Sequence, residues 1–247
     1  MKWVKSLFGN KSLPPFDLSK IGADMHSHLI PGIDDGAQNM EESIGMLLKL
    51  SELGYKKVIT TPHIMTDTYK NNPKIILKGL ENVRAEIKKL NIPITIDAAA
   101  EYFNDEFLME KVENKELMTF GDNYVLFEFS FSSVPTNKNE LIFAFINNGY
   151  TPVLAHFERY LYFAEQGIKI VEELKGRGAK IQLNLNSLSG HYGKVVKKQA
   201  EMLIDNKLVD FVGTDCHRMD HLHLLELGLT NPYFHKLADL KLLNHQL

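Results

Sequence analysis

The chain has 247 residues, with 28 Lys and Arg against 31 Asp and Glu, a formal net charge of −3. A single cysteine, Cys216, excludes an intrachain disulfide and a cysteine-ligated zinc site and suggests a reducing compartment. The near-even charge balance offers no broad basic field for nucleic acid, and no apolar run approaches the ~18 residues that span a bilayer.

Residues 1–22 form an N-terminal arm ahead of a single body, residues 23–247. Basic and apolar residues alternate over 1–11 without the continuous apolar stretch of a secretion signal, so a cytoplasmic location is expected. The arm suits either weak membrane-surface or partner contact, or simple packing on the outside of the body.

The first strand is expected at residues 23–28. Asn39 and Glu42 form an N-terminal cap for a helix that runs to residue 53 and closes at Gly54. A β-branched strand follows at 57–61. Pro73 opens a helix with Ile76, Leu80, Val83 and Ile87 at helical spacing. The third strand is 94–100, followed by a short helix at 106–112. The fourth strand is 124–129, followed by a helix at 139–147 ending near Gly149. The fifth strand is 151–155, and a helix within 167–177 ends at Gly178. The sixth strand is 180–185, the next helix 194–206, and the seventh strand 209–213. From His221 the tail reads as helical, interrupted at Asn231-Pro232.

Strands alternating with helices argue for parallel strands joined by right-handed crossovers. That pattern alone also permits an open doubly wound sheet. The chemistry-bearing residues separate the two. His26, His28, Asp35, His63, Glu101, Glu128, His156, Asp215 and His217 all fall at or just beyond predicted strand ends. Residues i and i+2 of an extended segment share a side, so His26-Ser27-His28 aims two imidazoles at one point. Donors from so many strands converge on one mouth only if the sheet closes, which favours a (β/α) barrel with its chemistry at the C-terminal end. Several carboxylates buried together require a cation. Imidazole mixed with carboxylate suits manganese, iron, cobalt or zinc. The chain reads as a polynuclear metallohydrolase.

The motifs are also recognisable. The segment from Asp24-Met25-His26-Ser27-His28 to Ile33-Asp34-Asp35-Gly36 resembles the first motif of the polymerase and histidinol phosphatase (PHP) family. Thr61-Pro62-His63 resembles the second. Ala100-Glu101, Phe127-Glu128-Phe129-Ser130 and Ala155-His156-Phe157-Glu158-Arg159-Tyr160 resemble the third region, and Gly213-Thr214-Asp215-Cys216-His217 the fourth. The Ile-Asp-Asp-Gly, Glu-Phe-Ser and His-x-Glu-Arg-Tyr elements resemble, more narrowly, the bacterial metal-dependent protein-tyrosine phosphatases of capsule and exopolysaccharide loci.

That resemblance, over roughly residues 23 to 218, implies a distorted (β/α)7 barrel with three divalent metal ions, manganese in the first place. It implies the nine ligands named above. One metal would take His26, His28 and Asp215 with Glu101. Glu101 would bridge to a second metal held by Glu128 and His156. Asp35, His63 and His217 would hold the third. The implied reaction is direct in-line hydrolysis of phosphotyrosine, and the implied substrate is the tail of a membrane-bound bacterial tyrosine kinase controlling polysaccharide export. A small-molecule phosphomonoesterase, such as a histidinol phosphatase, is the alternative.

Arg159, Asp35 and His217 are the candidates for a catalytic part. Arg159 suits bidentate phosphate contact, its bland alternative being an ion pair with Glu158. Asp35 or a metal-held water would serve as general acid. Relatives often carry a second arginine beyond the fourth motif. Here Arg218 or one of His221 and His223 stands nearest. Phe103, Phe131, Tyr160 and Tyr162 are expected at the mouth. Leu222 stands six residues after Cys216, where a thiolate phosphatase needs arginine, so Cys216 reads as a buried spacer.

Overall fold

The computed structural model describes residues 13–247, so the basic stretch 1–11 lies outside the described residues. Its strands are β1 (Ala23–Asp24), β2 (Lys57–Thr60), β3 (His63–Ile64), β4 (Thr95–Ala98), β5 (Glu101–Phe103), β6 (Tyr124–Glu128), β7 (Thr151–Leu154), β8 (Lys180–Asn184) and β9 (Phe211–Gly213). All pair in parallel. One ladder runs β1-β2-β4 and another β3-β5-β6-β7-β8-β9.

The two ladders are halves of the same staves. β2 continues into β3 across Thr61-Pro62, and β4 into β5 across Ala99-Ala100. Pro62 has no N–H to give, which breaks the ladder there. The joint is spanned by Ala99 N donating to the Thr60 carbonyl at 2.9 Å and Glu101 N donating to the Pro62 carbonyl at 3.1 Å.

The sheet closes where its first and last staves meet. Ser27 and Cys216 form a parallel bridge. Asp215 N donates to the His26 carbonyl at 2.8 Å and His28 N to the Cys216 carbonyl at 2.9 Å. Seven staves thus form the expected barrel. The first strand departs from expectation. It pairs over two residues only, and residues 25–28 reach their neighbours through isolated bonds, one to the second stave and two to the last. The third strand ends as β4 at Ala98, two residues short of expectation, and the chain pairs again as β5 beyond the expected end.

Eight helices cover the outside among the described residues: α1 (Met40–Glu52), α2 (Pro73–Leu90), α3 (Leu108–Glu113), α4 (Lys138–Asn147), α5 (Ile168–Gly176), α6 (Lys194–Asp205), α7 (Met219–Gly228) and α8 (Pro232–Leu237). The expected apolar stripe of α2 is buried at Ile76, Leu80, Val83 and Ile87. Asn91 closes it with a left-handed cap, φ 53°. α3 starts two residues later than expected because Asp105 Oδ1 first accepts the Phe107 and Leu108 N–H groups, at 2.9 and 3.1 Å, in a turn.

Strand side chains alternate between two cores. Val125, Phe127 and Leu154 face the helices, in a layer that also takes Phe16, Leu18 and Ile21. Leu126, Val153, Ala155 and Phe211 point into the barrel with Met25, Ile59 and Tyr124. This apolar plug fills the barrel beneath its C-terminal mouth, the end to which the ligand motifs belong.

Candidate metal centre

Seven of the donors sit at the end of a stave or on the turn that follows it, while His63 and Glu101 open β3 and β5, the second halves of their staves. The backbone is bent to aim two of them. His156 has φ 31° and Asp215 φ 50°, in the left-handed region that non-glycine residues adopt only when surroundings hold them there. Gly36 permits another close approach, since a Cβ there would lie 2.4 Å from the His28 Cβ.

The result is one continuous cluster. His26 Nε2 lies 3.1 Å from Glu101 Oε2 and 3.4 Å from Asp215 Oδ1. His28 Nε2 lies 3.4 Å from Glu101 Oε2 and 3.5 Å from Asp215 Oδ1. His63 Nδ1 is 3.2 Å from Glu101 Oε2 and 3.5 Å from Glu128 Oε1. His156 Nε2 is 3.0 Å from Glu101 Oε1 and 3.5 Å from Glu128 Oε2. Asp35 Oδ1 stands 3.6 Å from His63 Nε2 and 3.4 Å from His217 Nε2. All nine expected donors are brought together.

Ligand atoms within 4.8 Å of one another fall into the sets His28–Asp35–His63–His217, His26–His28–Glu101, His26–His156–Asp215 and His63–Glu101–Glu128. These sets cut across the expected partition. His28 joins the Asp35 set while also keeping its expected place with His26 and Glu101, and His156 groups with His26 and Asp215. Glu101, like His26, His28 and His63, lies in two sets, and its two oxygens, Oε2 facing His26 and Oε1 facing His156, suit a bridging carboxylate.

The electrostatics explain why a cation fits. Burial pushes Glu128 well above the usual carboxylate range, and the neighbouring Glu101 and Asp215 charges add to this. Glu101 and Asp215 go well below it, because the imidazoles facing them outweigh burial. His26 and His28 move up: burial disfavours their charge, but the facing carboxylates prevail. Burial pulls His63 down to about 4. Burial would raise Asp35, but His217, His63 and His28 hold it at about 2. Glu128 Oε1, His63 Nδ1 and His156 Nδ1 are buried with no hydrogen-bond partner among the described residues. Orphaned donors of this kind, together with a mixed imidazole–carboxylate set, fit divalent transition metals.

A second layer orients the ligands, and sequence reasoning missed it. Asp34 Oδ2 takes the His28 Nδ1 proton at 2.8 Å and the His63 backbone N–H at 3.1 Å, leaving His28 Nε2 free to face the cluster. Gln182 Oε1 lies 3.2 Å from His26 Nδ1 and accepts the His156 N–H at 2.7 Å. Asn184 Nδ2 donates to Asp215 Oδ2 at 2.8 Å. Gln182 and Asn184 alternate with Ile181 and Leu183 on β8. That alternation of polar and apolar residues in a buried strand was the available signal. Adjacent aspartates at 34 and 35 carry no mark of which one ligates.

Arg159 is the arginine bonded to this cluster, Nη1 donating to Asp215 Oδ2 at 3.1 Å. Its expected bland partner, Glu158, instead turns inward, accepting the Asn184 N–H at 3.0 Å and the Ser187 hydroxyl at 2.5 Å. Arg218 lines an outer groove of about 640 Å3 with Glu41, Glu42 and Asp220. His221 packs beside His217, its Nδ1 receiving the His217 N–H at 3.4 Å, and His223 is exposed. Among the expected mouth aromatics, Phe131 is 44% exposed and its ring centre lies 5.3 Å from that of His156. Tyr160 is a correction. It is fully buried, a strut whose hydroxyl accepts the Phe129 N–H at 3.0 Å. Tyr162 is half-buried and donates to the Ser130 carbonyl at 3.0 Å.

The family model for capsular polysaccharide synthesis, CpsB/CapC, matches residues 22–223. Tyrosine-protein phosphatase YwqE of Bacillus subtilis (strain 168) is 30% identical over 197 residues, 79% of this chain and 77% of that protein. Tyrosine-protein phosphatase CpsB of Streptococcus pneumoniae is 30% identical over 203 residues, 80% of this chain and 83% of that protein. A crystal structure from work on these two enzymes, described as unique metal-dependent tyrosine phosphatases, aligns with a TM-score of 0.75 at 27% identity. It covers 86% of this chain and 90% of that one. Histidinol phosphate phosphatase of Lactococcus lactis, solved with zinc, L-histidinol and phosphate, shares the fold at a TM-score of 0.53 and 14% identity, covering 86% of this chain and 94% of that one.

Proposed function

This chain belongs to the CpsB/CapC family of capsular polysaccharide synthesis, and from that premise we propose that it is a metal-dependent protein-tyrosine phosphatase. The observation that carries the reading is the convergence of nine imidazole and carboxylate donors on one barrel mouth, with Arg159 bonded to the same cluster. The metal ligands are His26, His28, Asp35, His63, Glu101, Glu128, His156, Asp215 and His217. Three divalent ions, manganese first, match the number of donors and the sharing of Glu101. Bound there, such ions lower the pKa of water and draw charge from phosphoryl oxygens.

The chain's own residues do the rest. Arg159 has five N–H donors, and the one hydrogen bond its side chain makes among the described residues goes to Asp215, so its other edge can fork onto two phosphate oxygens. Asp35, with a side chain 53% exposed, stands at the rim. Held at about 2 by the surrounding imidazoles, it is ionised at neutral pH. That suits a ligand and proton acceptor better than the general acid the sequence suggested. A phenolate with a pKa of ~10 leaves with little help from an acid. His217 Nδ1 donates to the Asp215 carbonyl at 3.0 Å, turning Nε2 toward Asp35. Burial of Glu101, Glu128 and His156 keeps bulk water from these donors.

The natural substrate we infer is the phosphotyrosine tail of a membrane-bound bacterial tyrosine kinase, met from the cytoplasm. No helix among the described residues is long and apolar enough to cross a membrane. Phosphate release from a phosphotyrosine peptide and from histidinol phosphate, with and without manganese, tests the reading. Manganese-dependent turnover of the peptide, lost in His28→Ala, is expected. Turnover of histidinol phosphate alone would move the substrate to the small-molecule alternative.

A further inference from the structure

Arg159 packs against two aromatic rings. Its guanidinium carbon is 4.5 Å from the Phe131 ring centre and 4.5 Å from the Tyr192 ring centre. The rings come from different staves. Phe131 follows β6 and its ligand Glu128, while Tyr192 follows the turn after β8. Both are therefore supplied to the mouth independently of the short turn, Phe157–Arg159, that carries the arginine.

A guanidinium carbon packed against aromatic rings leaves the N–H groups at its edge available to donate. Packing thus removes rotational freedom without using up a hydrogen bond. Asp215 fixes one edge through Nη1. The rings fix the plane. The combination leaves one orientation for the opposite edge. Tyr192 is itself anchored, its hydroxyl accepting Asn184 Nδ2 at 3.3 Å, and Asn184 Nδ2 also reaches Asp215 Oδ2 at 2.8 Å. The clamp and the metal-facing carboxylate are tied through one amide.

We propose that Phe131 and Tyr192 are positioning residues that clamp Arg159 in its phosphate-binding orientation. This deepens the phosphatase reading and rests on it for the identity of the ester, but the clamp itself concerns phosphate. The contribution belongs to the rings and not to the Tyr192 hydroxyl. It acts through Arg159 and vanishes when the arginine is gone.

The test is a double-mutant cycle read by calorimetric titration of the manganese-loaded protein with inorganic phosphate. Tyr192→Leu and Phe131→Leu should each weaken phosphate binding by about three- to tenfold, as expected for loss of one partly desolvated cation–π contact. Tyr192→Phe should stay within about twofold of the parent, because the ring remains. In an Arg159→Ala background, Tyr192→Leu should change affinity by less than about twofold, since residues that act through one another are not additive. A Tyr192→Leu penalty that persists without Arg159 would mean direct contact with the ligand and would overturn the clamp. So would a parent that binds no phosphate, or a Tyr192→Leu protein that binds it as the parent does. Peptide turnover by the parent is scored separately. Phosphate binding with the expected coupling but no turnover would sink the phosphatase reading and leave the clamp standing.

Discussion

Asp34 and Glu158 show how much of a site depends on residues outside its nine converging side chains. Asp34 Oδ2 fixes the tautomer of His28 and also pins the backbone at His63, so two metal-facing imidazoles depend on one carboxylate. Asp34→Asn should weaken manganese binding by roughly 10- to 100-fold with the fold retained, as losses of this kind do at other metal sites. Metal titration followed by elemental analysis reads this directly. Unchanged affinity would remove Asp34 from the role.

Glu158 makes a pH-dependent contribution. Burial outweighs the hydrogen bonds it accepts and the nearby Arg159 charge, raising its carboxyl from an ordinary 4.5 to about 7. The folded state then holds a proton that the unfolded state releases above about 4.5. Stability from this group is therefore present below that pH and lost as pH rises toward 7. The loss is on the order of 3 kcal/mol. Glu158→Gln keeps an acceptor for the Asn184 N–H and the Ser187 hydroxyl but cannot ionise. In chelator, urea midpoints at pH 5 and pH 8 should differ less in Glu158→Gln than in the parent. Equal differences would mean that the parent's carboxyl titrates normally. All nine residues that converge on the mouth were legible in sequence because strand ends and short motifs mark them. Asp34, Gln182 and Glu158 were not, because orientation by a second residue is a three-dimensional relation that no local pattern encodes.

At the scale of elements, what local chemistry decides was readable. Asn39 Oδ1 accepts the Glu42 N–H at 2.9 Å, and Glu42 Oε2 accepts the Gln38 N–H at 3.0 Å, so α1 opens with the reciprocal cap its sequence announces. Asn39→Ala should cost about 1 kcal/mol. The loop before it, which carries Asp34 and Asp35, is held separately, Ala37 N donating to the His28 carbonyl at 3.0 Å and Gly32 N to the Ala37 carbonyl at 2.7 Å. Manganese affinity should therefore stay unchanged while the urea midpoint falls. A parallel loss of metal affinity would mean that α1 itself positions the loop. The broken staves were less legible. Thr61-Pro62 and Ala99-Ala100 read as strand ends, yet the chain resumes pairing beyond each. Those joints place His63 and Glu101 directly opposite one another at the start of the second ladder.

The whole barrel stands or falls on its seam. His26 and His28 come from the first stave, Asp215 and His217 from the last, and the cluster exists only while the two are joined. β1 and β9 contribute few direct ladder bonds, so side chains supply much of the closure. Asp24 accepts the Thr214 N–H at 2.9 Å and the Thr214 hydroxyl at 2.7 Å. Beneath them Asn244, 1% exposed, spans the gap. Its Oδ1 accepts the Val212 N–H at 3.0 Å, and its Nδ2 donates to the Ala23 carbonyl at 2.9 Å and the Val212 carbonyl at 2.7 Å. A lone asparagine in a tail expected to be helical gave no hint of this, because its partners lie about thirty and more than two hundred residues away. Asn244→Leu keeps comparable bulk but strands a buried N–H and two carbonyls, which should cost roughly 3 kcal/mol or more. Because the centre straddles the seam, manganese should stabilise the parent against urea and partly rescue the variant, binding energy being available only to the closed state. Urea unfolding of parent and Asn244→Leu, each with manganese and with chelator, measures both effects. A variant as stable as the parent would show that Asp24, Thr214 and the backbone bridge close the barrel unaided. Manganese that stabilises neither protein would detach the metal centre from the seam.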